Sequence, residues 1–214
     1  MDIPSTRMIK LIAQVLAAEG NCHAFVESGT YMGVTTRWGA KNFRAVFTIE
    51  RYEPLYKAYS PELAALPNVT PLLGDSSDWL PVIARGLEEF SALYWLDAHW
   101  SGAGTGGEDN ECPLLAELAP LAKRPQDIIL IDDARLFLCA PPLPHKPGAW
   151  PTIAQVIQAL GPGRHVQIVE DVIVAVPDEP RFVNLLTHHA QIQSTYQWQQ
   201  REAAHAKAQS LLTA

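Results

Sequence analysis

The sequence predicts an α/β protein built on a doubly wound, mostly parallel sheet of seven strands that ends in an antiparallel C-terminal hairpin. Three observations carry this prediction. Short apolar runs alternate with segments of helical periodicity from residue 24 to residue 160, the pattern of strands joined by right-handed helical crossovers. Five of the runs stop at an acid, namely Glu27, Glu50, Asp75, Asp97 and the pair Asp132-Asp133. The first run, Ala24-Phe25-Val26-Glu27-Ser28, passes directly into Gly29 and Gly33, glycines that permit backbone angles and close approaches a side chain would block. In a parallel sheet such ends share one edge, and the usual ligand site is the crevice where strand order reverses.

The elements follow in order. Met8, Leu11, Ile12, Val15 and Leu16 predict a helix over 6–19, capped by Ser5 and ended by Gly20. Strand one spans 24–28, and the helix after Gly33 runs to about Lys41. Strand two, 44–49, ends at Glu50, and residues 54–66 form a short helix broken by proline. Strand three spans 69–73. The next helix carries Leu80, Ile83, Leu87 and Phe90 and is entered through Ser77 or Asp78, with Pro81 in its first turn. Strand four spans 92–96, and a polar, Gly-rich loop precedes the helix marked by Leu114, Leu115, Leu118 and Leu121. Strand five spans 127–131, and the prolines from 141 to 147 exclude a helix there. A helix with Ile153, Val156, Ile157 and Leu160 lies between Pro151 and Gly161-Pro162. The run 166–176, interrupted by Glu170-Asp171, reads as the hairpin at a sheet edge.

A chain of 214 residues with 48% apolar side chains suits one sizeable core. The expected organisation is a single domain over 1–214, with an N-terminal helix (1–22), the sheet core (23–178) and a helical tail (179–214) that contacts a second subunit in a homodimer. Sixteen basic against 23 acidic residues, a net charge of −7 and no Lys/Arg block argue against nucleic acid as the main partner. No segment reaches the roughly 18 apolar residues of a membrane span. Cys22, Cys112 and Cys139 lie far apart with no CxxC pair, which argues against a disulfide framework or a zinc knuckle. Asp2, Lys10 and Gln14 interrupt any export signal, so a soluble, cytoplasmic protein is expected.

Glu50 follows Glu27 by 23 residues, near the separation of about 20 at which an acid on the next strand accepts hydrogen bonds from ribose hydroxyls. A pyrophosphate wants three glycines in G-x-G-x-x-G order. Here Tyr31 occupies the middle position and no third glycine follows, which favours a nucleoside ligand without phosphates.

From Phe25 to about Val176 the chain resembles the class I S-adenosylmethionine-dependent methyltransferases, whose fold is Rossmann-like. VESGTYMG is similar to that family's glycine loop, TIERYEP to its ribose-binding acid and LLGDSSDWL to its adenine-side loop. The resemblance implies S-adenosylmethionine as cofactor, held by Glu27, Ser28, Gly29, Thr30, Gly33, Glu50, Arg51, Asp75, Ser76 and Asp97. Tyr31 departs from the family pattern.

A second constellation joins Asp97-Ala98-His99 after strand four to Asp132-Asp133 after strand five. Oxygen ligands from Asp97, Asp132 and Asp133 suit Mg²⁺, or Mn²⁺ if His99 joins them. This part is similar to metal-dependent O-methyltransferases of the catechol and macrolide-sugar types. The acceptor implied is a small-molecule hydroxyl, with Asp97 and His99 in the catalytic roles and His99 as base, since imidazole titrates near neutrality. The loops 100–111 and 139–150 would form the acceptor pocket and lid, with Trp100, Phe137 and Trp150 as apolar walls; Glu108 and Glu111 could supplement the metal site, but surface charge is the expected role of both. The alternatives are a nicotinamide-dependent oxidoreductase, which the missing glycine disfavours, and a binding module that keeps the fold without catalysis.

Overall fold

The structure is a computed structural model that describes residues 4–212, with side chains described from 9 to 205. Residues up to Asp178 and residues from Glu179 onward form two compact units. In chain order the first contains α1 (Pro4–Glu19), β1 (Ala24–Ser28), α2 (Val34–Asn42), β2 (Ala45–Glu50), α3 (Glu53–Ala64), β3 (Val69–Leu73), α4 (Ser76–Gly86), β4 (Ala92–Leu96), α5 (Leu114–Leu121), β5 (Ile128–Ile131), α6 (Arg135–Leu138), α7 (Ile153–Ala159), β6 (Arg164–Val169) and β7 (Val172–Pro177). The second is a single helix, α8 (Pro180–Leu212).

The strands form one seven-stranded sheet in the order β3-β2-β1-β4-β5-β7-β6. The first five are parallel, and β7 runs antiparallel to both β5 and β6. Every residue of β1, β4, β5 and β7 is buried, because helices cover both faces of the central sheet. That is why these strands read as unbroken apolar runs rather than as alternation. The edge strands β3 and β6 are only partly covered. Pro71 sits in β3 because an edge strand has a side where no N–H is needed. Strand order reverses between β1 and β4, which places the ends of these two strands at the crevice where ligands bind.

Several elements differ from the sequence expectation for local physical reasons. The buried stripe of α1 is Ile9, Ile12, Ala13, Leu16 and Ala17, whereas Leu11 and Val15 are half exposed. The two stripes share Ile12 and Leu16, so periodicity alone left the facing direction open by about one residue. The helix begins at Pro4, so Ser5 lies within its first turn instead of before it, and the Ser5 and Met8 side chains lie outside the described residues. Pro61 falls in the last turn of α3, where the loss of one hydrogen bond does not interrupt it. Helix α4 is entered two or three residues earlier than expected because Asp75 is its cap, accepting the Ser77 N–H at 2.9 Å, which leaves Pro81 inside the helix rather than in its first turn. The capping box of α7, Thr152 with Gln155, and the one-turn helix α6 were not anticipated.

Candidate active site

The edge formed by the carboxyl ends of the parallel strands opens into a cavity of about 300 Å³, within the range of small-molecule sites. Gly29 follows β1 and Asp97 follows β4, so they face each other across the point where strand order reverses. Asp97 N donates to the Ser28 carbonyl at 3.1 Å, and a Cβ at Gly29 would lie 2.3 Å from the Asp97 carbonyl oxygen. Gly29 adopts φ +84 and Gly33 φ +70, the left-handed region that glycine tolerates. Tyr31 shares that region at φ 49.

Glu50, the last residue of β2, closes one side of the cavity. Its Oε2 accepts the Tyr31 N–H at 2.9 Å and its Oε1 accepts the Tyr52 N–H at 2.8 Å. A carboxylate has about four lone-pair sites, so beside its backbone donors Glu50 keeps capacity for a ligand hydroxyl. Burial raises the Glu50 pKa, and the N–H groups of Tyr52, Tyr31 and Arg51 oppose that rise. Beyond it Arg51 lies 3.6 Å from Asp75 Oδ2 and pairs with Asp109 at 2.7 Å. The Gly-rich loop after β4 therefore lies over the same cavity, with Ser101, Ala103, Thr105 and Gly106 in its wall.

Of the ten residues expected to hold a cofactor, Gly29, Glu50, Arg51, Asp75, Ser76 and Asp97 line the cavity, while Glu27, Ser28, Thr30 and Gly33 stand behind its wall. Glu27 is 2% exposed and takes the hydroxyls of Thr36 at 2.5 Å and Thr48 at 2.6 Å, the latter directly across in register on β2. Burial pushes its pKa up to about 7. Thr30 Oγ1 and Thr48 Oγ1 share a hydrogen bond of 2.6 Å, and the Thr30 carbonyl accepts the Gly33 N–H at 2.8 Å. These four residues support the loop that the others present.

At the other end of the cavity His99 lies between two carboxylates. Its Nε2 is 2.9 Å from Asp133 Oδ2 and its Nδ1 is 3.5 Å from Asp97 Oδ1. Asp132 is held alongside because its backbone N–H donates to the Leu96 carbonyl at 3.1 Å, and its Oδ1 accepts the Asp133 N–H at 2.9 Å. Burial pushes Asp97 up to about 8, with Asp132 and Asp133 adding repulsion and His99 opposing it. Burial also raises Asp132, whereas Asp133 falls because His99 and Arg135 outweigh its burial. His99 rises despite its own burial, through the Asp133 hydrogen bond and the surrounding negative charge.

The three acids thus converge as expected, but they are not posed as a ligand set. Among the described residues no three His, Cys, Asp or Glu side chains are arranged to hold a metal ion. His99 takes the place between Asp97 and Asp133 that an ion would need. The donor chemistry nevertheless suits a hard divalent ion, since three carboxylates converge where burial raises Asp97 and Asp132 and their mutual repulsion calls for a cation.

Trp100, Phe137 and Trp150 are buried rather than lining the cavity. Trp100, Trp150 and His145 surround Glu111, which is itself 2% exposed and not a surface charge, while Glu108 is exposed. The sequence offers Glu111 no role beyond surface charge or a supplement to a metal site, because a glutamate in a Gly-rich loop reads as solvated. Its partners arrive from residues 35 to 39 positions later.

No protein-family model and no curated protein matches the sequence. Solved structures do match in fold. A presumed O-methyltransferase from Klebsiella pneumoniae aligns at TM-score 0.56 with 18% identity, over 83% of this chain and 82% of that one. The O-methyltransferase of Bacillus cereus, solved with S-adenosylhomocysteine, aligns at 0.54 with 17% identity over 82% of each chain. TomG of Streptomyces achromogenes, an O-methyltransferase of tomaymycin synthesis solved with S-adenosylmethionine, aligns at 0.53 with 17% identity over 80% of each. The chain shares the Rossmann-like fold of these proteins.

Proposed function

We propose that this chain is an S-adenosylmethionine-dependent methyltransferase acting on a hydroxyl of a small molecule. The observation that carries the reading is the placement of Glu50: its carboxylate pins the glycine loop through Tyr31 and still offers lone pairs to a ribose, on the rim of a cavity that ends at Asp97 and His99. The solved O-methyltransferases of the same fold, two of them holding S-adenosylmethionine or its product, support it.

The residues divide the work by position. Glu50 and Gly29 hold the nucleoside and the methionine end, and Asp75 and Ser76 face the base. The sulfonium methyl is already electrophilic, so the protein has to align the acceptor oxygen behind it and remove the hydroxyl proton. The O–CH₃ bond forms as the S–CH₃ bond breaks, and the proton passes to His99. The looser Nδ1 contact, 3.5 Å from Asp97, is the one free to receive it, while Asp133 fixes the ring through Nε2. The rim near His99 is acidic, and Arg135 is engaged by Asp133 and Asp171, which favours neutral acceptors over phosphorylated or carboxylated ones. If Mg²⁺ or Mn²⁺ assists, Asp97, Asp132 and Asp133 would hold it, and it would supply Lewis-acid polarisation of the acceptor oxygen.

Calorimetric titration with S-adenosylhomocysteine and, separately, NAD tests the reading. Binding of the first and not the second is expected, and the reverse result would replace the methyltransferase with an oxidoreductase. Failure to bind either ligand at millimolar concentration would favour a non-catalytic module.

A further inference from the structure

Glu111 stands at the end of the Gly-rich loop after β4, and its own carbonyl closes that loop by accepting the Trp100 N–H at 2.8 Å. Its carboxylate reaches into the loop between α6 and α7. There Oε2 accepts the Lys146 N–H at 3.0 Å and the Trp150 indole N–H at 3.0 Å, and Oε1 lies 3.2 Å from the same Lys146 nitrogen. His145 Nδ1 is 3.4 Å away. Burial alone would raise the Glu111 pKa, but the Trp150 and Lys146 hydrogen bonds and the nearby His145 hold it below the usual carboxylate range. A buried, ionised carboxylate with this many donors fixes what surrounds it, because any movement leaves a charge unpaired.

The rings around it pass that order onward. His145 meets Trp100 edge-on at 5.4 Å and Trp150 edge-on at 5.3 Å, and the Trp150 ring lies 5.3 Å from the His99 ring at 56°. His99 is thus held on one side by Asp133 and on another by Trp150, whose own orientation depends on its bond to Glu111.

We infer that Glu111 is a positioning residue: it locks the loop 139–150 onto the loop 100–111 and, through Trp150, sets the plane of the His99 ring. It touches neither cofactor nor acceptor. The inference rests on the reading of His99 as the proton acceptor, but its geometric content stands apart from that reading. It adds a determinant of turnover outside the cavity and leaves nucleoside affinity to the Glu50 side.

The test compares wild type, Glu111→Gln and Glu111→Ala by NMR of the His99 ring proton bonded to Asp133, with S-adenosylhomocysteine affinity measured in parallel. In folded Glu111→Ala the His99 resonance is expected to shift or broaden beyond detection while affinity stays within threefold. Glu111→Gln, which keeps one acceptor oxygen, restores part of the signal. An unchanged His99 resonance in Glu111→Ala overturns the inference, as does a tenfold loss of affinity, which would place Glu111 in service of the nucleoside cavity. If the alanine variant does not fold, Trp150→Phe, which removes only the indole donor, is read in the same way. A wild type that binds no S-adenosylhomocysteine would sink the methyltransferase reading, yet the resonance comparison would still decide the role of Glu111.

Discussion

The backbone N–H of Tyr31 donates to Glu50 Oε2 at 2.9 Å, so the residue standing where a middle glycine is usual is held by the acid at the end of the neighbouring strand. A side chain in the left-handed region costs about 1–2 kcal/mol, and a charge-assisted hydrogen bond is of the size needed to offset it. Glu50→Ala should therefore act twice, by freeing the loop and by removing the ribose acceptor. Calorimetry should show S-adenosylhomocysteine affinity falling by about 10- to 100-fold, from one or two charge-assisted bonds of roughly 1.5 kcal/mol each. Unchanged affinity would remove Glu50 from the cofactor site.

Gly29 and Gly33 should respond differently to the same substitution. At Gly29 a methyl would meet the Asp97 backbone at 2.3 Å, whereas at Gly33 it would meet the ends of the Leu63 side chain at 2.8 Å and 2.9 Å. Both variants incur the left-handed cost of about 1–2 kcal/mol, but only Leu63 can move aside. Urea denaturation should find Gly29→Ala the more destabilised of the two; equal losses would mean that the clash with Asp97 is relieved without cost.

Folding raises the Glu27 pKa from 4.5 to about 7, so the folded state prefers the protonated acid. The sign follows directly: the contribution is fully present below pH 4.5, is lost as pH rises toward 7, and is constant above that. Glu27→Gln keeps an acceptor oxygen for Thr36 and Thr48 and does not ionise. It should be more stable than wild type at pH 8, by up to about 3 kcal/mol, with the gap closing by pH 4.5. Parallel stability profiles of the two proteins between pH 4.5 and 8 would show that Glu27 does not titrate in this range.

His99→Ala should lower methyl transfer to a hydroxyl acceptor by about 10²- to 10⁴-fold, the usual contribution of a positioned base. Transfer of labelled methyl to a panel of neutral hydroxyl compounds would measure it. Cofactor affinity should change by less than about threefold, because each tenfold needs 1.4 kcal/mol that His99 does not supply to the nucleoside. Full activity in the variant would assign the proton to another group.

Added Mg²⁺ should raise the melting temperature of the wild type, and Asp132→Asn should abolish that increase while S-adenosylhomocysteine still binds. Ligand linkage makes the increase depend on ion concentration. A melting temperature indifferent to Mg²⁺ in the wild type would end the case for a metal at these carboxylates.

The strands could be placed from the sequence because the central ones are buried along their whole length and nearly all are punctuated by glycine, proline or an acid. β1, β3 and β4 lie where the apolar runs placed them, and the hairpin of β6 and β7 begins two residues earlier than the run predicted. The acids at the strand ends were legible for the same reason, since a parallel sheet carries Glu50, Asp97 and Asp132 to one edge whatever the loops do.

What the linear order could not say is how those acids are used. Glu27 and Glu50 read alike, yet Thr36 and Thr48 bury one while the other opens onto the cavity. Asp75 proved to be a helix cap as well as a wall. Glu111 read as surface charge until residues far along the chain supplied its hydrogen bonds. Periodicity and strand-end chemistry are local and survive in one dimension. Burial and pairing depend on which distant side chains arrive, and only the folded chain brings them together.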